Sequence, residues 1–225
     1  MKNLMKTLPV CTKEGKIDMK LIILFTAFIG ALVALDTVTL KIICIGPFVL
    51  SIGSMFFPIT FLITDVTTEV WGKKISYILV IMGVFAEVLA IIIYAISVVV
   101  HPAVFWTHQT EFAFVFTAAP RIMLASIITF FSTEMYDVWI FAKIKEWTKG
   151  KHLWIRNNAS TIGSEILNSI IFVTLAFSGT MSAQNMYNMI FATAVVKILL
   201  ALADTPFCYL LVRWARGQSA QEFFG

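Results

Sequence analysis

The chain has 225 residues and a formal net charge of +4; 59% of it is hydrophobic, 13% is charged, and the mean hydropathy is +0.88. That composition excludes an ordinary soluble domain and points to a polytopic membrane protein. The basic residues lie between apolar segments, where membrane topology accounts for them, so the positive balance is no sign of a nucleic-acid partner.

Residues 1–19 are polar and lysine-bearing and read as a cytoplasmic tail. The apolar run after them has spanning length and no small-residue cleavage site, so it is expected to be a retained first span. A spanning helix needs about 20 apolar residues. Six segments meet or approach that requirement: 20–40, 47–71, 75–100, 112–143, 154–178 and 184–212. The expected fold is therefore all-α, a bundle of six transmembrane helices over residues 20–212, followed by a tail at 213–225. In the first segment Ala27, Ala31 and Ala34 recur at helical spacing beside Gly30, which permits close helix approach. The second is interrupted by Gly46-Pro47, Gly53 and Pro58, as in spans that expose backbone groups to a substrate or an ion.

Lysine and arginine set the orientation. Alternate loops and both tails carry 14 of the 17, from Lys2 to Lys20, at Lys73 and Lys74, from Lys143 to Arg156, and at Arg213 and Arg216. The opposite loops offer only Lys41, so both termini are expected in the cytoplasm. Arg121 and Lys197 are left inside spans. Cys11, Cys44 and Cys208 form no CxxC pair, and His101, His108 and His152 fall in loops. Neither a metal site nor a cofactor is expected.

Buried charge is the informative signal, because an intramembrane ionisable group costs a few kcal/mol, on the order of 2.5 or more, and faces a polar interior. Asp65 and Glu69 lie four apart on the second span, and Glu134 and Asp137 three apart on the fourth. On the fifth, Asn157, Thr161, Ser164, Glu165 and Asn168 form one polar stripe of a helix. Lys197 and Asp204, seven apart, share a face of the sixth, and Glu87 falls near the middle of the third. Each charge taken singly could belong to a structural ion pair or a solvated end. Together, at overlapping depth, they outline a polar ligand cavity. Carboxylates and amides there can accept from a planar N–H edge such as that of guanine, and Phe56, Phe57, Trp71 and Trp139 are candidates to stack on a flat ring.

The blocks Phe57-Pro58-Ile59-Thr60-Phe61, Thr64-Asp65, Glu69-Val70-Trp71-Gly72, Arg121 with Ala125-Ser126, Asp137-Val138-Trp139-Ile140-Phe141, Arg156-Asn157-Asn158 with Ser160-Thr161, and Lys197 followed by Asp204-Thr205-Pro206-Phe207 occur in order. In these the chain resembles the queuosine precursor transporters, also called the vitamin uptake transporter family. The resemblance implies a six-span, multi-pass protein of the bacterial inner membrane. Its implied cargo is a small planar base: 7-cyano-7-deazaguanine, its aminomethyl relative, or queuine. The chain departs from the family pattern at Glu134, Glu165 and Asn168, where Gln, Gln and Asp are expected. Exchanging amide for carboxylate turns donors into acceptors, which points to a cationic aminomethyl ligand or a scavenged base.

The expected substrate contacts are Asp65, Glu69, Glu134, Asp137, Asn157, Asn158, Thr161, Glu165, Asn168 and Asp204, with Arg121, Arg156, Lys197 and Glu87 as a charge lattice or gate and Phe57, Trp71 and Trp139 for stacking. Glu87 or Asp204 is a candidate to carry a coupling proton. A homodimer is a possible assembly and the lipid bilayer the expected surrounding. The alternative within transport is the substrate-binding membrane subunit of an ATP-driven vitamin importer. The alternative of another class, an intramembrane enzyme, lacks a membrane histidine to serve as base.

Overall fold

The computed structural model describes residues 18–38, 41–45, 48–116, 120–179 and 182–217. Helix α1 (Met19–Val38) opens the described chain. Asp18 caps it, its Oδ1 accepting from the backbone N–H of Lys20 at 3.1 Å and of Leu21 at 3.3 Å, which satisfies donors that the first helical turn leaves free.

The expected second span begins differently. Ile42–Ile45 and Phe48–Ser51 are antiparallel strands β1 and β2, with Ile42 opposite Ser51 and Ile45 opposite Phe48. The all-α expectation is thus corrected at one place, and residues 48–51 of the expected 47–71 helix are extended. The run is rich in β-branched and aromatic side chains, which suit a pleated strand. Gly46-Pro47 lies outside the described residues. A short helix α2 (Ile52–Phe56) follows, and α3 (Pro58–Val70) starts afresh after Phe57. Pro58 has no N–H to continue α2 and is suited to the first turn of a new helix. The span is therefore broken, and α3 with 13 residues reaches only about 20 Å.

Gly72 joins α3 to α4 (Lys73–Val99) at a φ of 89°, a left-handed backbone that glycine adopts without steric cost. The expected span 112–143 takes in α5 (Gln109–Phe116) and α6 (Pro120–Trp147), with 117–119 outside the described residues. Helix α7 covers Leu153–Phe177 and α8 covers Ala183–Arg216.

Helices α4, α7 and α8 combine the length and apolarity needed to cross a membrane, and α1 is apolar over Met19–Leu35. Helix α6 is long enough, with 28 residues, but carries several charges. On α4 the buried residues Ser76, Leu79, Val80, Gly83, Glu87 and Ala90 follow a helical period, while Ile81, Phe85, Ile92 and Ile96 are exposed. An apolar exposed face of that kind suits lipid, where the pattern of a soluble helix is reversed.

Helix α3 sits among α1, α4, α6 and α8, and α7 packs along α6 and α8. The apolar core joins Phe28 and Leu32 of α1, Val66 of α3, Leu79 and Val80 of α4, Val138 and Phe141 of α6, and Val212 of α8. A Cβ at Gly83 would lie 2.7 Å from Phe28 Cε1 and 2.8 Å from Leu32 Cδ1, and both rings and branches there are fully enclosed. Gly83→Val is expected to destabilise the protein by about 1–3 kcal/mol through overpacking, read as a lower thermal midpoint in detergent. An unchanged midpoint would show that α1 and α4 do not pack together at this level.

Candidate functional site

Helix α3 supplies the axis of the site. Thr60, Thr64 and Thr68 recur every four residues with Asp65 and Glu69 beside them, and all five are buried. The threonine hydroxyls donate back to the preceding turn: Thr64 to the carbonyls of Thr60 and Phe61, and Thr68 to that of Thr64. Such back-bonding satisfies hydroxyls that have no water. It also leaves the carboxylates to face the neighbouring helices.

Side chains from four helices meet at mid-bundle. Thr64 Oγ1 lies 3.1 Å from Glu134 Oε2, and Thr161 Oγ1 lies 3.4 Å from Asp65 Oδ2. Ser164 donates to Asp137 Oδ1 at 2.9 Å. The carboxyl groups of Asp65 and Asp137 lie within hydrogen-bonding reach of each other. Lys197 of α8 lies 2.9 Å from Glu165 Oε2 and donates to Asn168 Oδ1 at 2.7 Å. Its ammonium also sits 4.7 Å from the centre of the Phe57 ring, a cation–π distance. Asn168 in turn donates to Thr133 at 3.3 Å, and Asn157 to Asp204 Oδ1 at 3.2 Å. The layer thus couples α3, α6, α7 and α8 through side chains.

One turn nearer the end where α3, α6 and α8 finish, Glu69 gathers three cations. Arg156 reaches its Oε2 with Nε at 3.0 Å and Nη2 at 2.8 Å. Lys145 lies 3.0 Å from the same oxygen, and Arg216 pairs with Oε1. Arg156 is 2% exposed, and its Nη1 donates to the carbonyls of Gly150 and Lys151. This cluster ties α3 to α6, α7 and α8.

The expected residues are therefore distributed over more than one place. Asp65, Glu134, Asp137, Asn157, Thr161, Glu165, Asn168, Lys197 and Asp204 come together at mid-bundle, with Phe57 at the edge. Glu69 and Arg156 belong to the end cluster. Glu87 is buried on α4. Asn158 binds helix to helix, donating to the Trp154 carbonyl and accepting from Thr205. Trp71 donates its indole N–H to Asp18 at 2.8 Å. Trp139 is 46% exposed and lies under Lys143 at 4.8 Å, so neither tryptophan touches the layer. The side chain of Arg121 lies outside the described residues. Lys145, Arg216, Thr64 and Thr133 were not expected at these clusters. The four-residue recurrence of Thr60, Thr64 and Thr68 was the signal available for one of them.

Several fully enclosed acceptor atoms in the layer have no donor: Asp65 Oδ1, Glu134 Oε1, Asp137 Oδ2, Asn157 Oδ1 and Glu165 Oε1. Buried acceptors are ordinarily satisfied. A concentration of unsatisfied ones is suited to a ligand rich in N–H donors.

Comparison with known proteins finds transporters. Residues 51–211 match the family described as "Putative vitamin uptake transporter". The chain is 27% identical over 161 residues to a "Probable queuosine precursor transporter" of Bacillus subtilis, covering 71% of this chain and 70% of that one. It is 26% identical over 150 residues to a protein of the same description from Haemophilus influenzae, covering 62% of this chain and 59% of the other. No solved structure matches. The matched stretch takes in the layer from Asp65 to Asp204, and the chain belongs to this vitamin uptake transporter family: it is a membrane transporter and not an enzyme.

Proposed function

We propose that the chain imports queuosine precursors, 7-deazaguanine bases, across the bacterial inner membrane. The observation that carries this reading is the set of donor-free carboxylate oxygens on Glu134 and Glu165 at mid-bundle. A guanine-like edge presents a ring N–H and an exocyclic amine together, and paired acceptors are what read such an edge. The two relatives, each described as a probable queuosine precursor transporter, support the same cargo. In this reading α2 and α3 together make the second of six crossings, α5 and α6 the fourth, and both termini face the cytoplasm. The small planar base and the bilayer are then the partners, with a homodimer as the assembly to look for.

The test is restoration of queuosine in tRNA in cells lacking both its synthesis and their own transporter. Cells expressing the chain and fed 7-cyano-7-deazaguanine, 7-aminomethyl-7-deazaguanine or queuine are expected to regain the modified nucleoside with at least one of the three. Restoration by none, with the protein shown to be in the membrane, would overturn the substrate assignment. Uptake by the purified protein in liposomes without ATP separates a self-sufficient carrier from a subunit of an ATP-driven importer.

A further inference from the structure

We propose that the Asp65–Asp137 carboxyl pair is a proton-binding site, and that the proton it holds is the coupling ion of transport. The proposal rests in part on the functional reading above and adds an energy source to it.

Geometry and charge counting carry it. The two carboxyl groups lie within hydrogen-bonding reach, and both residues are at most 1% exposed. A carboxylate is an acceptor only, so two of them facing each other form a hydrogen bond only when one carries a proton. Asp65 Oδ1 and Asp137 Oδ2 are the atoms left without a donor, while the other oxygen of each accepts a hydroxyl, from Thr161 and Ser164 respectively. Thr161 and Ser164 are three apart on α7, so the two contacts bring both carboxyl groups against one stretch of that helix.

Among the described side chains the nearby cations are engaged elsewhere, Lys145 and Arg216 by Glu69. Among the described residues the layer has five carboxyl groups, on Asp65, Glu134, Asp137, Glu165 and Asp204, and a single ammonium, Lys197. Lys197 of α8 is engaged by Glu165 and Asn168 of α7. Arg156 of α7 is engaged by Glu69 of α3. Glu87 lies on α4, Glu134 one turn from Asp137 on α6, and Cys208 with Asp204 on α8. Helix α1 brings Asp18 and Lys20 only to the far end, against Trp71 and the carbonyls of Trp214 and Ala215. Arg121 starts α6, thirteen residues from Glu134, which is about 20 Å along the axis. Anions on every member would leave uncompensated buried charge, each costing several kcal/mol, on the order of 3 or more. A proton between Asp65 and Asp137 removes one charge and supplies the missing donor. The pair bridges α3 and α6, so a step that separates those helices and admits water breaks the shared hydrogen bond, and the carboxyl that keeps the proton gives it to that water.

Two measurements test this. In infrared difference spectra of the purified protein without substrate, stepping from neutral to alkaline pH is expected to bleach the carbonyl stretch of a protonated carboxyl. That band should be missing in both Asp137→Asn and Asp65→Asn. In proteoliposomes with the membrane potential clamped, labelled 7-cyano-7-deazaguanine should accumulate about tenfold per pH unit, acid outside, if one proton enters with each base. A wild-type protein without the band overturns the proton site. Counterflow of the base that ignores the proton gradient overturns the coupling and leaves the import function standing. A band lost in both variants, with no counterflow of any deazaguanine, supports the proton site and sinks the substrate reading instead.

Discussion

Replacing Lys197 by methionine is expected to cost about 3–5 kcal/mol of stability, the range for breaking a buried ion pair from one side. Lys197 is 4% exposed and Glu165 fully enclosed, so neither charge has water to fall back on. The ammonium lies 2.9 Å from Glu165 and 2.7 Å from Asn168, and the Phe57 ring covers it. Methionine fills most of the same volume, so packing changes little and the loss is electrostatic. Glu165 is then left as an anion with no counter-charge, and Asn168 loses its donor. The thermal midpoint in detergent reads the effect. The double variant Lys197→Met with Glu165→Gln should recover most of the loss, since a pair removed whole costs far less than a pair halved. Uptake should stay abolished in both if Glu165 meets the substrate. A single variant that melts like wild type would show that the pair does not form.

Much of this site is legible in the sequence because a helix has one period. Asn157, Thr161, Ser164, Glu165 and Asn168 share a stripe by their spacing alone, and all five are buried against other helices. Depth counting from the ends of the apolar runs likewise gives Asp65, Glu134 and Lys197 overlapping depths, and all three are buried. The hairpin was not legible. Ile42-Ile43-Cys44-Ile45 and Phe48-Val49-Leu50 form a short apolar run, and such a run suits a buried helix segment as well as a strand. Only the cross-strand pairing decides between them, and pairing is not written in periodicity. The two tryptophans show a different limit. Trp71 and Trp139 resemble stacking residues by type and depth, but helix rotation and the distant partners Asp18 and Lys143 determine where their rings point.

The second large effect is expected at Glu69, which by position alone resembled a carboxylate near a solvated end of its span. Its side chain is only 3% exposed, and cations from α6, α7 and α8 converge on it. Glu69→Gln keeps the shape and removes the charge. Arg156 is the member that suffers most, because it is as enclosed as Glu69 and its remaining contacts are the Gly150 and Lys151 carbonyls and the Phe141 ring. Lys145 and Arg216 are part-exposed and can turn toward water. The expected cost is again about 3–5 kcal/mol, set by one stranded buried guanidinium. Lys73→Ala is the contrasting case: its 3.5 Å pair with Glu146 is 49% and 72% exposed, and its loss should stay within about 0.5 kcal/mol. Comparing the two midpoints in detergent checks the assignment. Because Glu69 holds α3 to three other helices, Glu69→Gln should also raise the reactivity of cysteines placed at Ser160 or Thr161 toward a polar thiol reagent. Equal reactivity before and after the change would mean that this cluster stabilises the bundle without closing its end.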